Sequence, residues 1–179
     1  MNTSFPKRLT KTALASAIIA ATSLGSAVYA ANFNVTVADD DGSGGTANTL
    51  SWAILQANTV SDADTITLKT NVSINGVMKT LLNSDITLQS DATTRTIDGN
   101  NQHRPLFVKS GNVIIKNLAL ANGQAKGGDS THGGAGAGLG GALFIHDGNV
   151  TVQDVAFNNN TAIGGSICLL YTSPSPRDS

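Results

Sequence analysis

One stretch of the chain occurs twice. Residues 105–125 read PLFVKSGNVIIKNLALANGQA, and residues 142–162 read ALFIHDGNVTVQDVAFNNNTA. Aligned without a gap, the copies share Leu106/Leu143, Phe107/Phe144, Gly111/Gly148, Asn112/Asn149, Val113/Val150, Ala119/Ala156, Asn122/Asn159 and Ala125/Ala162. A segment that recurs in this way marks stacked repeats, in which each unit buries apolar side chains against the next. Each unit holds three short apolar runs, in the first copy residues 106–108, 113–115 and 118–120. None is long enough for a helix, and all are rich in β-branched or large apolar residues. Three brief strands in a unit of roughly 20 residues, closing on itself, make one coil of a parallel β-helix. The expected fold class is therefore all-β: a right-handed parallel β-helix (solenoid), with a short N-terminal capping helix.

Alternation along the strands says which side chains fill the coil. Val113 and Ile115 can point inward together, as can Leu118 and Leu120; Val150, Val152, Val155 and Phe157 match them. Stacking then sets like on like, with Asn122 over Asn159 expected to form an amide ladder. Phe107 and Phe144 stand between apolar neighbours, so they either face outward or mark a bend.

The preceding segment supplies the cap. Residues 33–37 alternate apolar and polar as an edge strand. Asp39, Asp40 and Asp41 with Gly42 read as a solvated turn, because a calcium loop of the EF-hand kind needs a terminal Glu and the chain contains none. Leu50, Ala53, Ile54 and Ala57 fall on one helix face, with Asn48 or Thr49 as cap. Such a helix can cover the first coil, whose open end would otherwise expose apolar surface and unpaired edges. Trp52 is expected at the core or rim, not stacked on a sugar. Residues 66–68, 72–74, 86–88 and 96–100 are strand fragments of less regular coils, and residues 76–82 are either a strand pair or a loop. Domain boundaries follow: a cap at 31–64, then coils at 65–165. Residues 126–141, KGGDSTHGGAGAGLGG, have little to bury and are expected to bulge as a flexible loop. They lack the strand–GxxxxGK[ST]–helix context of a phosphate loop.

Both ends differ from this body. Residues 1–30 have the form of an export signal: basic Lys7, Arg8 and Lys11, a short apolar run, then Val28, Tyr29 and Ala30 before the cut. The mature chain then begins at Ala31. Composition shifts again after Gly165, and Cys168 to Asp178 reads CLLYTSPSPRD, which resembles a translated sequencing adapter. Residues 166–179 are therefore expected to be an artefact, and the genuine chain a truncated fragment. Cys168 is the only cysteine, so disulfides play no part in the body. From Ala31 to Gly165 eleven aspartates face seven lysines and arginines, a net charge of about −4. Such a surface disfavours nucleic acid and anionic membranes as partners.

Gly140, Gly141, Ala142 and Leu143, followed by Phe157, Asn158, Asn159 and Asn160, resemble the polymorphic outer-membrane protein repeat, marked by GGA[ILV] and FxxN. Val37, Ala38, Asp39 and Asp40, then residues 49–54, look like the N-terminal cap of bacterial secreted right-handed β-helix proteins. The first copy departs from the pattern: residues 120–123 read LANG in place of FxxN, and Arg104 and Pro105 stand where GGA begins. The resemblance implies a passenger or adhesin region at the outer membrane, the cell surface or outside the cell. Its partners would be host or environmental surfaces, glycan or protein, and the missing C-terminal coils or membrane barrel of the same chain.

The alternative is a carbohydrate-active β-helix enzyme, a polysaccharide lyase or glycoside hydrolase, with its site outside this fragment. Hydrolysis needs two carboxylates across the scissile bond. Asp98, Asp147 and Asp154 are the candidates, but turns and outer strand faces commonly carry exposed aspartates. Arg95 and Arg104 could serve a lyase, yet no acidic cluster accompanies them. His103, His132 and His146 show no metal spacing and no nucleophile motif. The reading leans away from an enzyme. No catalytic, cofactor-binding or metal residue is assigned, and no cofactor is expected.

Overall fold

A computed structural model of the chain describes residues 30–59, 62–131 and 133–167. Residues 1–29, which hold the expected export signal, together with residues 60–61, His132 and residues 168–179, lie outside the described residues. Twelve strands and one helix follow in order. They are β1 (Asn32–Val35), β2 (Asp39–Asp40), α1 (Leu50–Ala57), β3 (Asp64–Leu68), β4 (Val72–Ile74), β5 (Ile86–Ser90), β6 (Arg95–Asp98), β7 (Leu106–Val108), β8 (Asn112–Ala121), β9 (Gln124–Lys126), β10 (Leu143–Ile145), β11 (Asn149–Asn158) and β12 (Thr161–Ile163). The protein is all-β apart from α1, and its strand pairs are parallel.

The main sheet curls, because two rows of strands meet in one longer strand. One row runs β1, β3, β5 to the first half of β8; the other runs β2, β4, β6 to its second half. β11 pairs β8 along both halves. The two short runs expected at 113–115 and 118–120 are thus one strand bent at Asn117, with φ 55°, and Asp154 (φ 52°) repeats the bend in β11. Asn and Asp tolerate this left-handed conformation better than other non-glycine residues, so a polar residue between two apolar runs sets the corner. β10 pairs β7, β12 pairs β9, and the two copies of the repeat lie in register, Leu143 beside Leu106 and Ala162 beside Ala125.

Columns of inward side chains form the core. Phe33, Ile66, Leu88, Ile115 and Val152 line one register; Val72, Ile97, Leu120 and Phe157 line another. The central members are fully buried, whereas Val152 is 43% and Phe157 51% exposed at the last turn. α1 covers the other end. Its buried residues include Leu50, Ala53, Ile54 and Ala57, the face expected from spacing, and Thr49 is the cap, accepting from Trp52 N. Trp52 is half-buried against the edge of Phe33, ring centres 6.1 Å apart. Residues 76–82 form no strand pair, but Leu82 bridges in parallel to Val108 and is buried.

Three expectations need correction. Asp40 is not in a solvated turn: it is fully buried and its carboxylate accepts from Ser51 N and Ser51 Oγ, both at 2.6 Å, and from Gly42 N at 2.8 Å. A carboxylate at the start of α1 satisfies amides the helix leaves unpaired. Asn122 and Asn159 stack as left-handed corners, with φ of 50° and 52°, and not as an amide ladder. The cross-links run elsewhere: Asn122 Nδ2 donates to Asp98, and Asn160 accepts from Gly123 N while donating to Leu120 O. Lastly, the glycine-rich segment is tied down. Gly127 N donates to Ile163 O, Gly136 N to Gly128 O, and Gly165 N to Gly136 O, each at 2.8 Å. A side chain at Gly138 would collide with the carbonyl oxygens of Ile163 and Ala125, so its glycine serves close backbone approach.

Candidate binding cleft

Closure of the turns brings three distant segments to one outer surface. Val77 and Met78, then Gln102, His103, Arg104 and Phe107, then Gln124, Ala125 and Lys126 line a cleft of about 280 Å³. Their placement follows from local structure. β7 turns Leu106 and Val108 inward, so Phe107 between them faces out. β10 does the same for Phe144, and the two rings lie 5.1 Å apart at 50°. Phe107 and Phe144 therefore face outward, the first of the two alternatives the sequence allowed.

Arg104 joins this aromatic pair to the glycine-rich segment. Its guanidinium carbon lies 5.6 Å from the centre of Phe107 and 5.2 Å from that of Phe144. Its Nε donates to Gly140 O at 2.8 Å and an Nη to Leu139 O at 2.7 Å. A planar guanidinium suits this arrangement, stacking on rings while its edge donates in a fixed fork. Partial burial lowers its pKa from the usual value, because desolvation disfavours the charged form.

The far wall is held by Lys126 and Asp129. Lys126 Nζ lies 2.9 Å from Asp129, which also accepts from Ser166 N at 2.7 Å. The Ser166 amide, then Lys126, holds the Asp129 carboxyl below the ordinary carboxylate range. The lining as a whole offers amides, an imidazole, cations, a thioether and an aromatic ring, and no carboxylate. It can donate hydrogen bonds to hydroxyl-rich or anionic groups beside a small apolar surface from Val77, Met78 and Phe107.

Of the candidate site residues weighed from sequence, His103 and Arg104 line this cleft. Asp98 accepts from Asn100 N and Asn122 Nδ2. Asp147 turns onto Gly148 N, and Asp154 is the exposed corner of β11. Arg95 is paired with Asp91, its Nε and Nη donating to the two carboxylate oxygens at 3.2 and 3.1 Å. His146 is exposed beyond β10. Among the described residues no cluster of His, Cys, Asp or Glu could hold a metal ion. Val77, Met78, Gln102, Gln124 and Lys126 were not singled out from sequence, since no motif links segments so far apart. No family model, curated protein or solved structure matches the chain.

Proposed function

We propose that the chain is part of an exported right-handed parallel β-helix of the adhesin or autotransporter-passenger kind. One observation carries the reading: each strand of the second repeat lies parallel and in register beside its counterpart in the first, along three separate rows. A solenoid grows in this way, each coil serving as template for the next. The exposed Val152 and Phe157 occupy positions that Ile115 and Leu120 hold fully buried, which supports further coils or a barrel-bearing continuation after the last turn. The rival enzyme reading would need a site beyond these residues: Asp98 ends β6 and is bonded to Asn122, Asp147 turns onto Gly148, and Asp154 is an exposed bend in β11. The cleft beside Arg104 is the surface through which such a module would meet a glycan or protein.

The test is cell fractionation with protease shaving of a Gram-negative host expressing the full chain. The expected product is shortened by its leader and found in the envelope or medium. An unprocessed chain confined to the cytoplasm overturns the reading.

A further inference from the structure

Asp64 stands where this architecture calls for an aliphatic residue. Its register partners are Ile86, then Val113, then Val150. It is fully buried. Its Oδ1 accepts from the backbone nitrogen of Ala31 at 2.8 Å, while its Oδ2 has no partner and is also buried. Among the described residues no lysine or arginine pairs with it. An uncompensated buried carboxylate costs several kcal/mol, so such groups are ordinarily paired with a cation or neutralised.

Ala31 is also the residue at which the sequence places the first position of the mature chain. Two independent features thus converge on one nitrogen: the small-residue pattern ending at Ala30, and a buried carboxylate with a spare oxygen. We propose that removal of the leader converts the Ala31 amide into an α-ammonium group that forms a part-buried ion pair with Asp64, locking the first strand onto the stack. The inference rests on the export reading above.

The chemistry is peptide hydrolysis by a leader-removing endopeptidase, with water as co-reactant. Water oxygen adds to the Ala30 carbonyl carbon, the bond to Ala31 N breaks, and Ala30 departs as a carboxylate. The released amine keeps its own hydrogen and takes up protons derived from water and solvent. An α-amino group has an ordinary pKa of about 7.7–8.0, so it is mostly cationic at neutral pH. An amide offers one donor, whereas the ammonium offers three. One can remain on Oδ1 and another can reach Oδ2.

The surroundings hold the nitrogen in place. Thr65 N donates to Ala31 O at 2.8 Å, and Asn32 pairs with Thr65 at the start of the β1–β3 ladder. Backbone pairing therefore fixes Ala31 beside the first residue of β3 whether or not the leader is attached.

The experiment starts with the full chain expressed with its leader and recovered from the envelope or medium. Intact mass identifies the first residue. Thermal midpoints are then compared for the processed protein, Asp64→Asn, a form with one glycine inserted before Ala31, and the combination. Each single change is expected to lower the midpoint by roughly 5–10 °C, and the combination no further than the worse single change, because both remove the same pair. Additive losses, or a glycine insertion without effect, overturn the ion pair while leaving the export reading intact. A first residue other than Ala31 overturns both cleavage at this bond and the pair. Should Asp64→Asn fail to accumulate, the labelling rate of the α-amine at neutral pH decides. Ala31 is expected to react at least about tenfold more slowly than the inserted glycine, and equal rates overturn the proposal.

Discussion

Leu120 and Phe157 are register partners in the adjacent strands β8 and β11, at a position that points into the core. Leu120 is fully buried and Phe157 is 51% exposed. Truncating a buried leucine to alanine costs about 2–5 kcal/mol, the transfer term plus the cavity left behind. Leu120→Ala should therefore cost about 3 kcal/mol, since strands on both sides fix its neighbours and limit collapse. Phenylalanine is larger, and a fully buried one would cost about 3–5 kcal/mol. With half its surface already in water and no described residue above it, Phe157→Ala removes only part of the roughly 1.5–3 kcal/mol of a full burial. A loss of about 1 kcal/mol follows. For a chain of this length 1 kcal/mol shifts the melting midpoint by about 2–4 °C. Urea unfolding of the two variants at constant m-value separates them. Equal losses would refute the reasoning, because they would mean that Phe157 is covered in solution.

Asp40→Ala strands the Ser51 amide and hydroxyl inside the protein, and should cost about 2–4 kcal/mol by denaturant unfolding, with Asp40→Asn losing less. Asn117→Gly should be tolerated within about 1 kcal/mol, whereas Asn117→Val, forced into the left-handed region, should cost about 1–2 kcal/mol or more. Arg104→Ala should speed amide hydrogen exchange in the glycine-rich segment near Leu139 and Gly140, and Arg104→Lys should only partly restore protection, because an ammonium cannot reproduce the fork. Asp91 has its pKa lowered from 3.8, chiefly by the Arg95 hydrogen bond. Its stabilising contribution is therefore complete above the unfolded value and lost as pH falls through the folded one. Asp91→Asn should flatten the stability profile below about pH 4, with little change in slope near neutrality.

Much of the fold was legible because its elements follow local periodicity. The α1 face at Leu50, Ala53, Ile54 and Ala57, and the strands at β4 and β7, need only the spacing of apolar side chains. The bend at Asn117 was marked by a polar residue between apolar runs, but spacing alone could not say that one strand continues through it. The glycine-rich segment misled because glycine permits two opposite things, freedom and close approach. Only the neighbouring carbonyls of Ile163 and Ala125 decide between them at Gly138. The cleft was invisible for a different reason. Its walls at residues 77–78, 102–107 and 124–126 meet only after the turns close, so no motif spans them.

The buried aspartates make the sharper case. Sequence reasoning places aspartate in solvent because a carboxylate loses its hydration when buried. Asp40 escapes that rule by taking the donors of Ser51, eleven residues on. Asp64 takes the nitrogen of Ala31, thirty-three residues back. Yet each left a trace that the repeat makes readable. Once the register is known, Asp40 aligns with Ile74, and Asp64 aligns with Ile86 in a column that Val113 and Val150 continue, so both stand beside aliphatic side chains. A polar residue in such a column requires a partner from outside it. For Asp40 the partner is the start of the capping helix. For Asp64 it is the start of β1, where the expected cleavage would leave a cation. Both exceptions fall at the end of the sheet that α1 covers, and there the chain satisfies buried carboxylates with backbone and hydroxyl donors.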